Sequence, residues 1–122
     1  MSDGDSSPVP VQIVLNKSKD LVSIEFDTGN SFEYEAEFLR VYSPSAEVRG
    51  HGNEPRKTPP GKQLVKITAI EQVGNYAVKF VFDDRHDSGI YSWSYLYEIG
   101  ADKEALWSRY LEELDEAGLS RS

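Results

Sequence analysis

Apolar and polar positions alternate with a two-residue period at the start of the chain. Val11, Ile13 and Leu15 are separated by Gln12 and Val14, and Val22, Ile24 and Phe26 by Ser23 and Glu25. A period of two puts every second side chain on one face, so each run predicts a half-buried strand. Asp27-Thr-Gly-Asn30 supplies turn residues, and Ser31 to Tyr34 predicts a short third strand completing an antiparallel meander. From Glu35 the period changes. Phe38, Leu39 and Tyr42 share one helical face, which predicts a short helix over 35–42.

Residues 43–62 carry no usable period. They hold Pro44, Pro55, Pro59 and Pro60 with Gly50, Gly52 and Gly61. Connections of this length in small domains are usually functional or mobile. Alternation resumes from Leu64 to Val73, with Val65, Ile67 and Ala69 expected on one face. Gly74-Asn75 suits a two-residue hairpin loop, because glycine accepts a positive φ at the first position. Tyr76, Val78, Phe80 and Phe82 then alternate with Ala77, Lys79 and Val81, the clearest strand in the chain. Asp83 to Asp87 forms the next turn, and Ser88 to Tyr91 a short returning strand. Ser92 is placed to cap a helix from Trp93 to Ile99 that Gly100 would end. Asp102 is placed to cap a last helix, whose inner face would be Trp107, Tyr110, Leu111 and Leu114, and Gly118 would stop it. The expected fold is α+β: a small antiparallel sheet of hairpins with two or three packed helices. Residues 1–10 are expected to be disordered, 11–100 to form the main domain, and 101–122 a C-terminal helix and tail.

Composition narrows the function. The 122 residues carry a net charge of −8. An acidic surface repels phosphate, which argues against nucleic acid and anionic membranes as partners and in favour of a protein. The chain has no cysteine, so disulfides, thiolate metal sites and thiol catalysis are excluded. No apolar run approaches membrane-spanning length, and the acidic N-terminus lacks the basic and apolar regions of a signal peptide. A cytoplasmic protein is expected.

No phosphate-cradling glycine loop or hydrolase elbow is present. Candidate chemistry falls to His51, between Gly50 and Gly52, and His86, within Asp83-Asp-Arg-His-Asp-Ser88. With a carboxylate from Asp83, Asp84 or Asp87, the two imidazoles formally supply a two-histidine, one-carboxylate set for non-haem iron. Glu47 and Glu54 have no second group fixed beside them for acid–base work. Tyr91, Trp93, Tyr95 and Tyr97 form a dense aromatic set, expected to be mostly packing. The acids Glu112, Glu113, Asp115 and Glu116 read as the solvated face of the last helix.

Leu39-Arg-Val-Tyr-Ser-Pro-Ser-Ala-Glu-Val-Arg-Gly-His-Gly52 resembles the first signature of the gamma-butyrobetaine hydroxylase-like N-terminal domain family, a domain of unknown function. Gly61-Lys62, Ile70-Glu-Gln-Val-Gly-Asn-Tyr-Ala77 and His86-Asp-Ser-Gly-Ile-Tyr-Ser-Trp-Ser-Tyr-Leu96 agree in the family's order. In the hydroxylase this domain precedes the catalytic barrel and is not itself the oxygenase, so the resemblance does not imply oxygenase activity for this chain. It implies a zinc site of three cysteines and one histidine. His86 stands at the histidine's place, but Ser43, Ser45 and Val48 stand where the cysteines would be. Other relatives are fused to P-loop ATPases of the iron–sulfur carrier type, which implies a setting near iron–sulfur assembly by association. Two binding readings follow, and a small enzyme ranks below both. The first is a non-catalytic binding or adaptor domain whose partner meets Arg40, Ser43, Ser45, Arg49, His51 and Trp93. The second is a domain holding iron or zinc on His51, His86 and Asp87.

Overall fold

The first three strands form one antiparallel sheet in the order β1-β2-β3: β1 (Pro10–Leu15), β2 (Leu21–Phe26) and β3 (Ser31–Glu35). The structure is a computed structural model that describes residues 8–44, 61–84 and 87–121. Helix α1 (Ala36–Val41) follows β3 directly. A second antiparallel sheet has the order β4-β5-β6, with β4 (Ile67–Val73), β5 (Ala77–Phe82) and β6 (Asp87–Ser92). Helices α2 (Trp93–Ala101) and α3 (Lys103–Ala117) close the chain. The α+β expectation holds, as two three-stranded sheets rather than one.

One core joins the layers. Val22, Ile24 and Phe26 of β2, Val78, Phe80 and Phe82 of β5, and Leu96 and Ile99 of α2 are buried together. Helix α2 packs on both β3 and β6, and so ties the sheets to each other. The hairpin between β1 and β2 is fixed by Asn16, whose Oδ1 accepts from the Asp20 and Leu21 amides and whose Nδ2 donates to Asp20 Oδ1. Lys19 takes a positive φ of 64° within it.

Several inward positions differ from a strict two-residue period, and β-bulges are the reason. Between β1 and β2 the register steps from Pro10↔Phe26 to Gln12↔Glu25, leaving Val11 unpaired and 61% exposed, not inward. Between β4 and β5 it steps from Ile67↔Phe82 to Ala69↔Val81, with Thr68 the extra residue. An extra residue exchanges the two faces beyond it, so Ile70 rather than Ala69 joins the core after Ile67. Strand β4 also begins at Ile67 and leaves Leu64 outside. The β4–β5 connection is Gly74 to Tyr76, since Val73 pairs with Ala77. Tyr76 is therefore a loop residue, 73% exposed, and not the first inward residue of β5.

The helices show the same mixture. Ser92 caps α2 as expected, its Oγ accepting from the Tyr95 amide at 3.1 Å. Gly100 does not end α2 but lies inside it. A Cβ there would sit 2.6 Å from Tyr34 Oη and 2.8 Å from the Phe32 ring, so the glycine is what lets α2 approach β3. Asp102 precedes α3 but makes no side-chain cap bond. Gly118 ends α3 in the left-handed region with φ 70°, as expected. The inner face of α3 is Tyr110 and Leu114 with Leu106 and Trp107 packed against them, while Leu111 is exposed.

Candidate functional site

Helix α1 is buried on every side, including the charged residues Glu37 and Arg40. Charges in such a place need partners. Arg40 Nε donates to Asp84 Oδ2 at 2.9 Å, and the same oxygen accepts from Lys62 Nζ at 2.8 Å. One carboxylate after β5 thus holds two cations, one from each side of the 45–60 segment. Glu37 faces elsewhere. Arg121 Nε and Nη2 each donate to it at 2.8 Å, and Tyr110 Oη donates to Oε2 at 2.7 Å. The hydrogen bonds to Glu37 raise the Arg121 guanidinium above its ordinary pKa.

The C-terminal carbonyls of α1 lack partners within the helix, and the tyrosines of β6 and α2 supply them. Tyr91 Oη donates to the Leu39 carbonyl, and Tyr95 Oη to the Tyr42 carbonyl at 2.6 Å. Ser43 is fully buried, and its Oγ accepts from the Gly89 amide at 3.4 Å. Arg40 and Ser43 at the end of α1 are therefore fixed against Asp84, Gly89, Tyr91 and Tyr95. The other stem is braced as well. The Gly61 amide donates to the Ser120 carbonyl and the Gln63 amide to the Arg121 carbonyl, both at 3.0 Å.

Ser45, Arg49, His51 and His86, with Glu47 and Glu54, lie outside the described residues, and the Asp87 side chain does too. Arg40 and Ser43 sit on one stem. Trp93 follows the opposite end of β6, six residues or ~20 Å of strand from Asp87, with its Nε1 donating to the Asn75 carbonyl at 2.8 Å. The partner residues read from sequence thus divide between two places. Asp83 and Asp84 are engaged: Asp83 Oδ1 accepts from the Lys66 amide at 3.0 Å, and Asp84 from Arg40 and Lys62. Among the described residues no group of three or more histidines, cysteines or carboxylates stands close enough to hold a metal ion. A hollow of about 580 Å³ among the described residues is an open groove on the outer face of the first sheet. Lys103 at its rim is tied to Glu35 at 2.7 Å and to the Glu33 carbonyl at 2.7 Å.

The sequence model of the gamma-butyrobetaine hydroxylase-like, N-terminal family matches residues 13–97. The chain belongs to the gamma-butyrobetaine hydroxylase-like N-terminal domain family. Two solution NMR structures are similar to it, at 44% identity over 96% of this chain and 92% of that one with a TM-score of 0.82, and at 45% over 99% and 90% with a TM-score of 0.81. A crystal structure of a protein of unknown function from Acidithiobacillus ferrooxidans, of the DUF971 family, is 28% identical over 75% of this chain and 92% of that one, with a TM-score of 0.63. No curated protein matches.

The resemblance implies a zinc site of three cysteines and one histidine, and the residues present do not supply its thiolates. The chain has no cysteine. Ser43, at the first expected thiolate position, has a fully buried hydroxyl that receives the Gly89 amide. A serine hydroxyl keeps its proton at neutral pH where a zinc-bound thiol loses it. Among the described residues the early and late signature words meet: Leu39, Tyr42 and Ser43 of one bond Tyr91, Tyr95 and Gly89 of the other. Sequence reading missed Glu37, Lys62 and Arg121. The available signal was Ala36-Glu-Phe-Leu-Arg-Val41, a helix apolar around its whole circumference apart from two charges.

Proposed function

We propose that this chain is a small non-catalytic binding or adaptor domain, and that a protein partner meets it where residues 45–60 and 85–86 leave the described fold. The support is the bracing of both stems of the 45–60 segment. Arg40 and Lys62, one on each stem, share Asp84, and Ser43 bonds Gly89. A connection held this firmly at its roots is how rigid scaffolds present binding residues. Of the residues read for the partner, Ser45, Arg49 and His51 are proposed to make the contact, because Arg40, Ser43 and Trp93 are buried and engaged within the fold. The family resemblance adds a setting near iron–sulfur or oxygenase systems. None of the described helices is long and apolar enough to cross a membrane. The test is a photo-cross-linker placed at Arg49 and, as control, at Glu112 on the outer face of α3. A discrete adduct from position 49 and none from 112 in native lysate is expected. Equal labelling from both, or none from 49, overturns the reading.

A second reading places iron or zinc on His51, His86 and Asp87. What favours it is the Ser43–Gly89 bond, which sets Ser43, two residues before the 45–60 segment, beside the strand that follows His86. Ring resonances of both histidines that move with zinc, or with ferrous iron under anaerobic conditions, support it. Unmoved rings at about millimolar metal end it.

A further inference from the structure

The other side of α1 carries a slot shaped for an arginine, and the chain's own tail fills it. Glu37 forms its end, with its side chain 5% exposed and both oxygens bonded to Arg121 at 2.8 Å. Tyr110 Oη holds Glu37 Oε2 from behind at 2.7 Å. Trp107 forms a wall, its ring centre 5.3 Å from the guanidinium carbon. Trp107 is in turn seated against Tyr110 and Phe38. A planar five-donor fork meets a carboxylate on two atoms and an aromatic face on its flank, a combination that selects arginine over lysine.

The slot and its occupant come from different places. Glu37, Tyr110 and Trp107 are placed by α1 and α3, which belong to the core. Arg121 arrives after the left-handed turn at Gly118, on a tail whose residues 118–120 are exposed, and its own side chain is 38% exposed. Beside the slot the Gly61 and Gln63 amides bond the Ser120 and Arg121 carbonyls, so the site receives main chain as well as a side chain. The net charge of −8 favours a basic visitor.

We infer that the Glu37–Tyr110–Trp107 slot with the Gly61–Gln63 main chain is an acceptor site for an extended, arginine-bearing segment of a partner protein, with Ser120-Arg121 its occupant in cis. It shares the 61–63 stem with the partner edge proposed above, but it rests on the geometry of the slot and not on that reading. A tethered occupant competes at an effective concentration on the order of millimolar, so a visitor binds weakly until the tail is displaced.

The test uses the full chain with Arg121→Ala and the synthetic pentapeptide Gly-Leu-Ser-Arg-Ser, which reproduces the tail. The expected result is saturable movement of the Gly61 and Gln63 amide and Trp107 indole resonances. Replacing the peptide's arginine by lysine should weaken binding about tenfold, and adding Glu37→Gln to the chain should abolish it. A folded Arg121→Ala chain whose resonances ignore about 10 mM peptide overturns the proposal, given the millimolar scale above. Should that variant not fold, hydrogen exchange in the unmodified chain decides. Gly61 and Gln63 amides exchanging about 100-fold or more faster than those at the centre of β5 support a tail that leaves, and equal rates overturn it.

Discussion

The Tyr91 hydroxyl donates to the Leu39 carbonyl, joining residues 52 positions apart in the chain. Both residues are fully buried, so the bond has no water to replace it. Leu39 belongs to the early signature of the family and Tyr91 to the late one, and the bond makes them one unit. Tyr91→Phe leaves the carbonyl without that donor at nearly unchanged volume. We expect a loss of ~1–2 kcal/mol in urea unfolding. Tyr91→Phe at wild-type stability would show that the pairing is incidental.

Gly100 sets two effects against each other. In a helix interior alanine is better than glycine by about 1 kcal/mol. Here the added methyl would stand 2.6 Å from Tyr34 Oη and 2.8 Å from the Phe32 ring, both anchored in β3. Overpacking costs about 1–3 kcal/mol, and the shift also strains the Tyr34 Oη bond to the Leu96 carbonyl. The clash wins, so Gly100→Ala should lower the melting temperature. A rise would mean that α2 does not approach β3 this closely.

The contrast between Val22 and Val11 shows how far the sequence was legible. Both sit in clean alternating runs, yet Val22 is buried and Val11 is not. Alternation reports a strand, but a one-residue bulge depends on the partner strand and leaves no mark on a local period. Thr68 misled in the same way. Gly100 read as a helix stop because a close approach and a stop use the same residue for different reasons. Of the candidate site, the signature words and the end of α1 were visible. The grip of Asp84 on Arg40 and of Arg121 on Glu37 was not, because these contacts join residues 44 and 84 positions apart.

Asp84 holds Arg40 and Lys62 through one oxygen. Removing it leaves the Arg40 guanidinium, in a side chain only 5% exposed, without that anion. Loss of one partner of a buried pair costs about 3–5 kcal/mol, and less where water reaches the pair as it reaches Asp84. Asp84→Ala should therefore cost ~2–3 kcal/mol, while Lys62→Ala, at an exposed pair, should cost ~1 kcal/mol or less. Equal costs would mean that the two cations are held alike, and that Arg40 is not the anchored one.

Tyr34 gives the fold a weakness at high pH. Burial raises its hydroxyl well above the ordinary tyrosine value, because a phenolate without water is strongly disfavoured. Below about pH 10 both folded and unfolded chains keep the proton, and the neutral hydroxyl's contribution is complete. Above that the unfolded chain releases it while the folded chain retains it. Stability then falls by about 1.4 kcal/mol per pH unit for this residue, until the pH reaches its raised folded value. Tyr34→Phe removes that dependence, and at neutral pH it also loses the bond to the Leu96 carbonyl, ~1 kcal/mol. The variant should therefore start less stable at about pH 9 and close the gap, or pass the wild type, by about pH 11. Urea unfolding at the two pH values measures both slopes. Parallel slopes would mean that Tyr34 ionises as readily in the fold as in the unfolded chain, and that the hydroxyl is not sealed from water between β3 and α2.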